Sequence, residues 1–221
     1  MPTPTIPIEE MSARYRQLYT PAVADALDDR GLWHQIVDRR IQPLVMGMRV
    51  AGPAFTMLGR PERSTDRAIR QGVKAVDAVR PHTVVVMDCC GEEVTGHWGE
   101  LLTNGTLVRG GTGAVIDGGV RDTAAILALG FPVFCKYRSP ADAKGRWNVV
   151  DFDCPVTLGG VPVRPGDFIV GDADGVVVVP AALAVEVLLD AEQVVADENE
   201  IRGRVRAGES VAGLYMQYKR F

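Results

Sequence analysis

Residues 110–122 read Gly-Gly-Thr-Gly-Ala-Val-Ile-Asp-Gly-Gly-Val-Arg-Asp. Ala114–Ile116 is a short apolar run, Asp117-Gly118-Gly119 ends it, and a helix is expected from Arg121 to Leu129. The stretch therefore predicts strand, turn and helix in succession, and open α/β folds build their sites in loops at strand carboxyl ends. The alternation extends both ways. Thr83–Met87 is a continuous apolar run that suits a strand buried on both faces. Gly99–Arg109 reads as a short helix, and Pro132–Cys135 as the next strand. Upstream, Thr20-Pro21 carries an N-cap and a first-position proline, and Gly31 closes that helix. Leu44–Leu58 reads as strand interrupted at Gly47 and Gly52-Pro53, and Asp66–Arg80 as a helix with Ile69, Val73, Val76 and Val79 on one face. From residue 132 to 180, short runs such as Val156–Leu158, Val161–Val163, Phe168–Val170 and Val176–Val179 alternate with turn residues, and Gly159-Gly160 is a hairpin signal. A charged amphipathic helix takes residues 181–207, and residues 1–10 read as a tail. The β-rich block is too small for a core of its own, so one α/β domain with a mixed sheet is expected over 1–221.

The chain has 221 residues, 47% of them apolar, and a net charge of −4 with no block of like charge. Nothing in that balance favours nucleic acid or an anionic membrane as partner. No apolar run approaches the length of a membrane span, and Met1–Glu10 lacks the basic and apolar regions of a secretory signal. Cys89, Cys90, Cys135 and Cys154 form no C-x-x-C pair, so reduced thiols and a cytoplasmic location are expected.

The residues with chemical potential gather in two places. Arg121 can grip a carboxylate with two parallel hydrogen bonds, and Asp122 beside it can hold a hard divalent cation such as Mg²⁺ through oxygen. Gly99-Glu100 opens a helix, so Leu101 and Leu102 offer free backbone N–H groups to an anion. Taken singly, each has an ordinary role: a surface ion pair, turn glycines, an acidic residue complementing a helix dipole. Together they define an anion or metal site. His97, three residues before Glu100, is a candidate for substrate contact or proton transfer. His34, His82 and His97 are too scattered for a zinc triad. Lys136, following an apolar strand, is the fallback for a Schiff-base mechanism. Cys89 and Cys90 end a buried strand and read as packing residues. Gly110-Gly111-Thr112-Gly113 lacks the Gly-Lys-Ser/Thr that a phosphate loop requires.

Gly99-Glu100-x-Leu102, followed by Gly110-x-x-Gly113-x-Val115-x-Asp117-Gly118-x-x-Arg121-Asp122, resembles the RraA-like family. That family includes the class II 4-hydroxy-4-methyl-2-oxoglutarate and 4-carboxy-4-hydroxy-2-oxoadipate aldolases and the regulator of ribonuclease activity A. Asp25-Ala26-Leu27, Gly130–Phe134, Pro165-Gly166-Asp167 and Asp172–Pro180 extend the resemblance to roughly residues 20 to 210. It implies the swivelling β/β/α fold, assembled as a trimer or hexamer with sites between subunits. It implies Asp122 as ligand to Mg²⁺ or Mn²⁺, Glu100 as the acidic residue that holds water on the metal, and Arg121 as the grip on a pyruvyl carboxylate. Gly99, Leu101 and Leu102 then line the substrate, and an acidic residue of a neighbour's C-terminal helix, best matched by Glu198 with Asp197 and Glu200 close by, completes the site. The implied activity is a metal-dependent lyase that cleaves a 4-hydroxy-4-substituted 2-oxo acid to pyruvate, with oxaloacetate decarboxylation through the same enolate. Two alternatives stand beside it: a non-catalytic ribonuclease regulator, and a sugar-acid lyase or dehydratase on the same fold. The complete set Gly99-Glu100 and Arg121-Asp122 favours the enzyme branch over the regulator. His97-Trp98 and Lys136–Asp151 match no feature of the named aldolases, which leaves the substrate open.

Overall fold

A computed structural model describes residues 5–66 and 71–219. Its centre is a run of parallel strands: β2 (Val50–Pro61), β3 (Val84–Asp88), β5 (Gly113–Val120) and β6 (Val133–Arg138). The short strand β1 (Gln42–Pro43) closes one edge antiparallel to β6, while β10 (Phe168–Gly171) extends the other edge antiparallel to β2 and β11 (Val176–Val179) lies beyond it antiparallel to β10. Two further strands double up on this path. β4 (Gly96–Trp98) pairs with the last residues of β5, and β7 (Trp147–Phe152) with the end of β2. The hairpin β8 (Val156–Leu158) and β9 (Val161–Val163) stands apart as a two-stranded sheet. The domain is thus α/β with a mixed sheet, as expected.

Three apolar clusters hold the layers together. Phe55, Met57, Met87, Ile116 and Trp98 pack on one face against Val76 of α3 (Gly72–Asp77) and Ile126 of α5 (Thr123–Ala128). On the other face Val84, Val86, Val115 and Ile169 meet the β8–β9 hairpin through Leu158 and Val163. The third cluster joins α1 (Ile8–Tyr15) and α2 (Thr20–Asp28) to Val187, Leu188 and Ala191 of α6 (Ala184–Arg206) over β10 and β11. Val187 and Leu188 are fully buried, worth on the order of 1.5–3 kcal/mol each. No helix of the described residues is long and apolar enough to cross a membrane.

Several boundaries differ from expectation, for physical reasons. The tail at 1–10 gives way at Ile8 to helix α1, whose Met11 and Tyr15 are buried. The helix expected from Asp66 is α3, Gly72–Asp77; Ile69 lies outside the described residues and Val73 is exposed. Gly52-Pro53 does not break β2, because it sits where the strand changes partner from β10 to β3. A Cβ on Gly52 would stand 2.4 Å from the His82 carbonyl oxygen, so this glycine serves close packing. Residues beyond 207 include a further helix, α7 (Val211–Tyr218). Thr20 caps nothing in its own helix: its N–H and hydroxyl go to the buried Asp172 carboxylate, at 2.9 and 2.7 Å.

Candidate active site

The largest departure lies in the motif itself. Asp117-Gly118-Gly119 is not the turn after a strand; β5 runs through it to Val120, with a register shift between Ile116 and Gly119. These glycines are small because of their neighbours. A Cβ at Gly118 would meet His97 Nδ1 at 2.6 Å and Cys89 Sγ at 2.7 Å, and one at Gly119 would meet Tyr137 at 2.3 Å. Beyond the shift β4 replaces β3 as the neighbour of β5. Two parallel strands therefore end together, and their loops lead into α4 (Glu100–Val108) and α5 side by side. The Arg121 N–H donates to the Trp98 carbonyl at 2.8 Å and fastens the two loops.

Asp122 is the cap residue of α5 rather than part of it, and Arg121 precedes the helix expected to contain it. Asp122 has φ 56°, the left-handed region that aspartate enters at modest cost. That turn aims its Oδ2 at the backbone N–H of Glu100, 3.3 Å away. Gly99 is extended, so its size matters rather than its backbone: a Cβ there would stand 2.7 Å from Asp122 Oδ2 and 3.1 Å from Arg121 Cγ. Among the described residues the N–H groups of Leu101 and Leu102 have no acceptor. Glu100, Leu101, Asp122 and Thr123–Ala125 line an open cleft of about 620 Å³.

Arg121 lies beside that cleft. Its Nε is 3.5 Å from Asp122 Oδ1, a long contact, and its Nη1 donates to Asp142 Oδ2 at 2.8 Å. The hydrogen bond to Asp142, helped by the charge of Asp122, raises the guanidinium's pKa against the effect of burial. Asp142 and Asn104 went unnoticed in the sequence. Asn104 donates its side-chain amide to the Glu100 carboxylate one helical turn away, a pairing that the i, i+4 spacing could have revealed. Asp142 lies 21 residues from Arg121, and no local pattern announces it.

The other expected members stand elsewhere. His97 is buried on β4, not in a loop, and does not line the cleft. It borders a separate cavity of about 110 Å³ with Val73, Leu102, Trp147 and Val149. Its Nδ1 accepts the Gly119 N–H at 3.0 Å, so the proton of the neutral ring sits on Nε2. That Nε2 is 2.9 Å from Glu92 Oε2, close but poorly aligned for a hydrogen bond. Burial lowers the pKa of His97, outweighing the pull of Glu92. Glu198 lines a different hollow with Ile201, Arg202 and Val205, where it accepts from the Tyr19 hydroxyl and lies 3.6 Å from Arg202. Within one chain it is not part of the cleft. Lys136 is ion-paired with Asp117 and 3.8 Å from Asp38, a paired ammonium rather than the free amine that Schiff-base chemistry needs. It borders a third concavity, of about 350 Å³, with Gln42 and Arg138, which holds none of the Glu100–Asp122 group.

His97 carries a testable consequence. The unfolded chain takes up a proton near the ordinary value of 6.5, whereas the folded imidazole resists it. Stability should therefore fall as pH drops below 6.5, since the unfolded state binds more protons there. In His97→Asn, whose carbonyl can still accept from Gly119, thermal melting over that range should depend less on pH. Parallel curves for the two proteins would contradict this.

The fold and the cleft define an α/β protein with an open cleft, bearing the carboxylates of Glu100 and Asp122, built from two neighbouring strand–helix loops. The chain belongs to the RraA-like family, described as Aldolase/RraA, whose model matches residues 20–178. It is 35% identical over 185 residues to a protein of Halalkalibacterium halodurans that carries the provisional name 4-hydroxy-4-methyl-2-oxoglutarate aldolase, covering 84% of this chain and 83% of that one. It is 32% identical over 189 residues to Protein DlpA of Legionella pneumophila, covering 86% of this chain but only 30% of DlpA. Among solved structures, Streptomyces coelicolor RraAS2, described as an unusual member of the RNase ES inhibitor RraA protein family, superposes with a TM-score of 0.81 at 29% identity. That superposition covers 90% of this chain and all (100%) of RraAS2.

Proposed function

We propose that the chain is a divalent-cation-dependent lyase that cleaves a 4-hydroxy-4-substituted 2-oxo acid to pyruvate and a second carbonyl product. The observation that carries this reading is the pairing of Arg121 and Asp122 at the end of β5, against the uncapped N–H groups of Leu101 and Leu102. The name of the Halalkalibacterium halodurans relative supports the substrate class.

The donor set fits a hard cation. Glu100 and Asp122 offer oxygen to one open cleft, and among the described residues no group of three or more His, Cys, Asp or Glu converges. Such a site suits Mg²⁺ or Mn²⁺ with much of its shell left to water and substrate, not a closed zinc site. Bound there, the cation would stabilise the negative charge that develops on the 2-oxo oxygen. Arg121 grips the substrate carboxylate, and the Leu101 and Leu102 N–H groups fix its orientation. Glu100, steadied by Asn104, holds the water that removes the C4 hydroxyl proton. The C3–C4 bond then breaks, C4 becomes a carbonyl, and the enolate of pyruvate takes a proton at C3. Oxaloacetate loses CO₂ through the same enolate, so decarboxylation belongs to the same proposal. We place Glu198 at a neighbouring subunit's site in a trimer or hexamer, since it is separate from its own chain's cleft.

The test is pyruvate release from 2-oxo acids by purified protein. Chelator should abolish it, and Mg²⁺ or Mn²⁺ should restore it; full turnover in excess chelator would defeat the metal mechanism. The likeness to RraAS2 supports a second reading, a non-catalytic ribonuclease-binding protein. That reading gains if no 2-oxo acid is turned over with either metal.

A further inference from the structure

Residues 139–146, between β6 and β7, form a strap across the ends of β4 and β5. The Ser139 N–H donates to the Val120 carbonyl at 2.9 Å, and the Gly96 N–H to the Ala141 carbonyl at 3.0 Å. The Ser139 hydroxyl donates to the Val94 carbonyl and accepts the Ala141 N–H. The strap lies so close that a Cβ on Gly96 would stand 2.5 Å from the Ser139 carbonyl oxygen. Asp142 is its polar tip. Its Oδ1 accepts the Lys144 N–H at 2.7 Å, its backbone carbonyl accepts from Arg146 at 2.9 Å, and its Oδ2 takes Nη1 of Arg121. Arg121 is confined at its other end too. Cβ atoms built on Gly96 and Gly99 would come within 2.9 Å of its Cβ and 3.1 Å of its Cγ respectively, so the stem runs in a slot that only two glycines leave open.

We propose that Asp142 is a positioning residue for Arg121, holding one Nη1 proton of the guanidinium so that the remaining N–H groups of Nη1 and Nη2 meet a carboxylate in a single orientation. This rests on the reading of Arg121 as the carboxylate grip. Arginine loses much rotamer freedom when it binds, and fixing it beforehand removes that loss from the binding step. The same contact would arise if Asp142 were a stand-in that the substrate carboxylate displaces. The fixation of Asp142 argues against displacement: Lys144 N–H locks the carboxylate, and two backbone bonds lock the strap to β4 and β5.

Two measurements decide it, on Asp142→Asn, Asp142→Glu and Arg121→Lys in the full chain. The first is nitrogen-edited NMR of the arginine side chains without ligand. The Arg121 terminal N–H signals, assigned by their loss in Arg121→Lys, should be in slow exchange and should broaden in Asp142→Asn. Unchanged signals in Asp142→Asn would overturn the proposal, whatever the site binds. The second is pyruvate titration with Mg²⁺. Asp142→Asn should bind roughly tenfold more weakly, the scale of one charge-assisted hydrogen bond, with Asp142→Glu recovering part of the loss, and in turnover of a 2-oxo acid cleaved by the unmodified protein KM should rise more than kcat falls. Tighter binding by Asp142→Asn would establish displacement instead, and equal binding a merely structural contact; either overturns positioning. If pyruvate binds no protein in the series, the reading of the cleft fails, and the ligand-free NMR result alone decides for or against the hold on Arg121.

Discussion

Arg121→Lys should lower kcat/KM for 2-oxo acid cleavage by an amount equivalent to about 2 kcal/mol, the lower end of the range for truncating one partner of a buried charged pair. The lower end applies because the Arg121 side chain is 34% exposed, so water screens part of the interaction. Lysine keeps the charge but replaces a planar fork by a point charge, so two parallel hydrogen bonds to a carboxylate become one. It also gives up the contact to Asp142 on which the orientation depends. Added metal should restore none of the loss. Steady-state kinetics, with circular dichroism to confirm folding, checks the result. A surface ion pair would be worth little, so near-normal turnover in the variant would remove Arg121 from the site.

Asp122→Asn should behave differently, and its effect on metal should be the largest of the set. Asparagine tolerates the left-handed backbone of this position and can still accept the Glu100 N–H, so the loops should stay in place. What disappears is the negative charge facing the cleft. The affinity for Mg²⁺ should fall on the order of 100-fold, the upper end of the losses seen when even a supporting partner of a metal ligand is removed. Excess metal should then recover much of kcat. A metal titration of both proteins reads this directly, and an unshifted midpoint would show that Asp122 is not a ligand.

What could be read in advance followed from local chemistry. Val84–Met87 and Val176–Val179 are buried on all sides, so an unbroken apolar run was enough to mark each as strand. Gly31 at φ 75° ends α2 because glycine alone enters that region without penalty, and a lone glycine after an apolar helix face announces it. Gly118 and Gly119 misled because the same residue type serves turns and tight packing, and the neighbours that demand packing, His97 and Tyr137, are distant in the chain. Glu100, Arg121 and Asp122 were legible as a group through their motif and the strand–helix alternation. Asp142 and the burial of His97 were not, since both depend on which loop crosses which strand end. β4 and β7 were missed for a related reason: each is short and pairs only with the far end of a longer strand.

The tie between Thr20 and Asp172 spans 152 residues and bears on the order in which the chain can fold. Helix α2 has nine residues and no capping side chain of its own, and so short a helix is marginal in water. Its acceptor arrives only with β10, and its apolar face, with that of α1, packs on β10, β11 and α6. During synthesis the first two helices therefore leave the ribosome long before β10, β11 and α6, and their packing has to wait for the last third of the chain. The contacts that close the last third over the first are among the most distant in sequence, and such long-range closure is characteristic of slow folding.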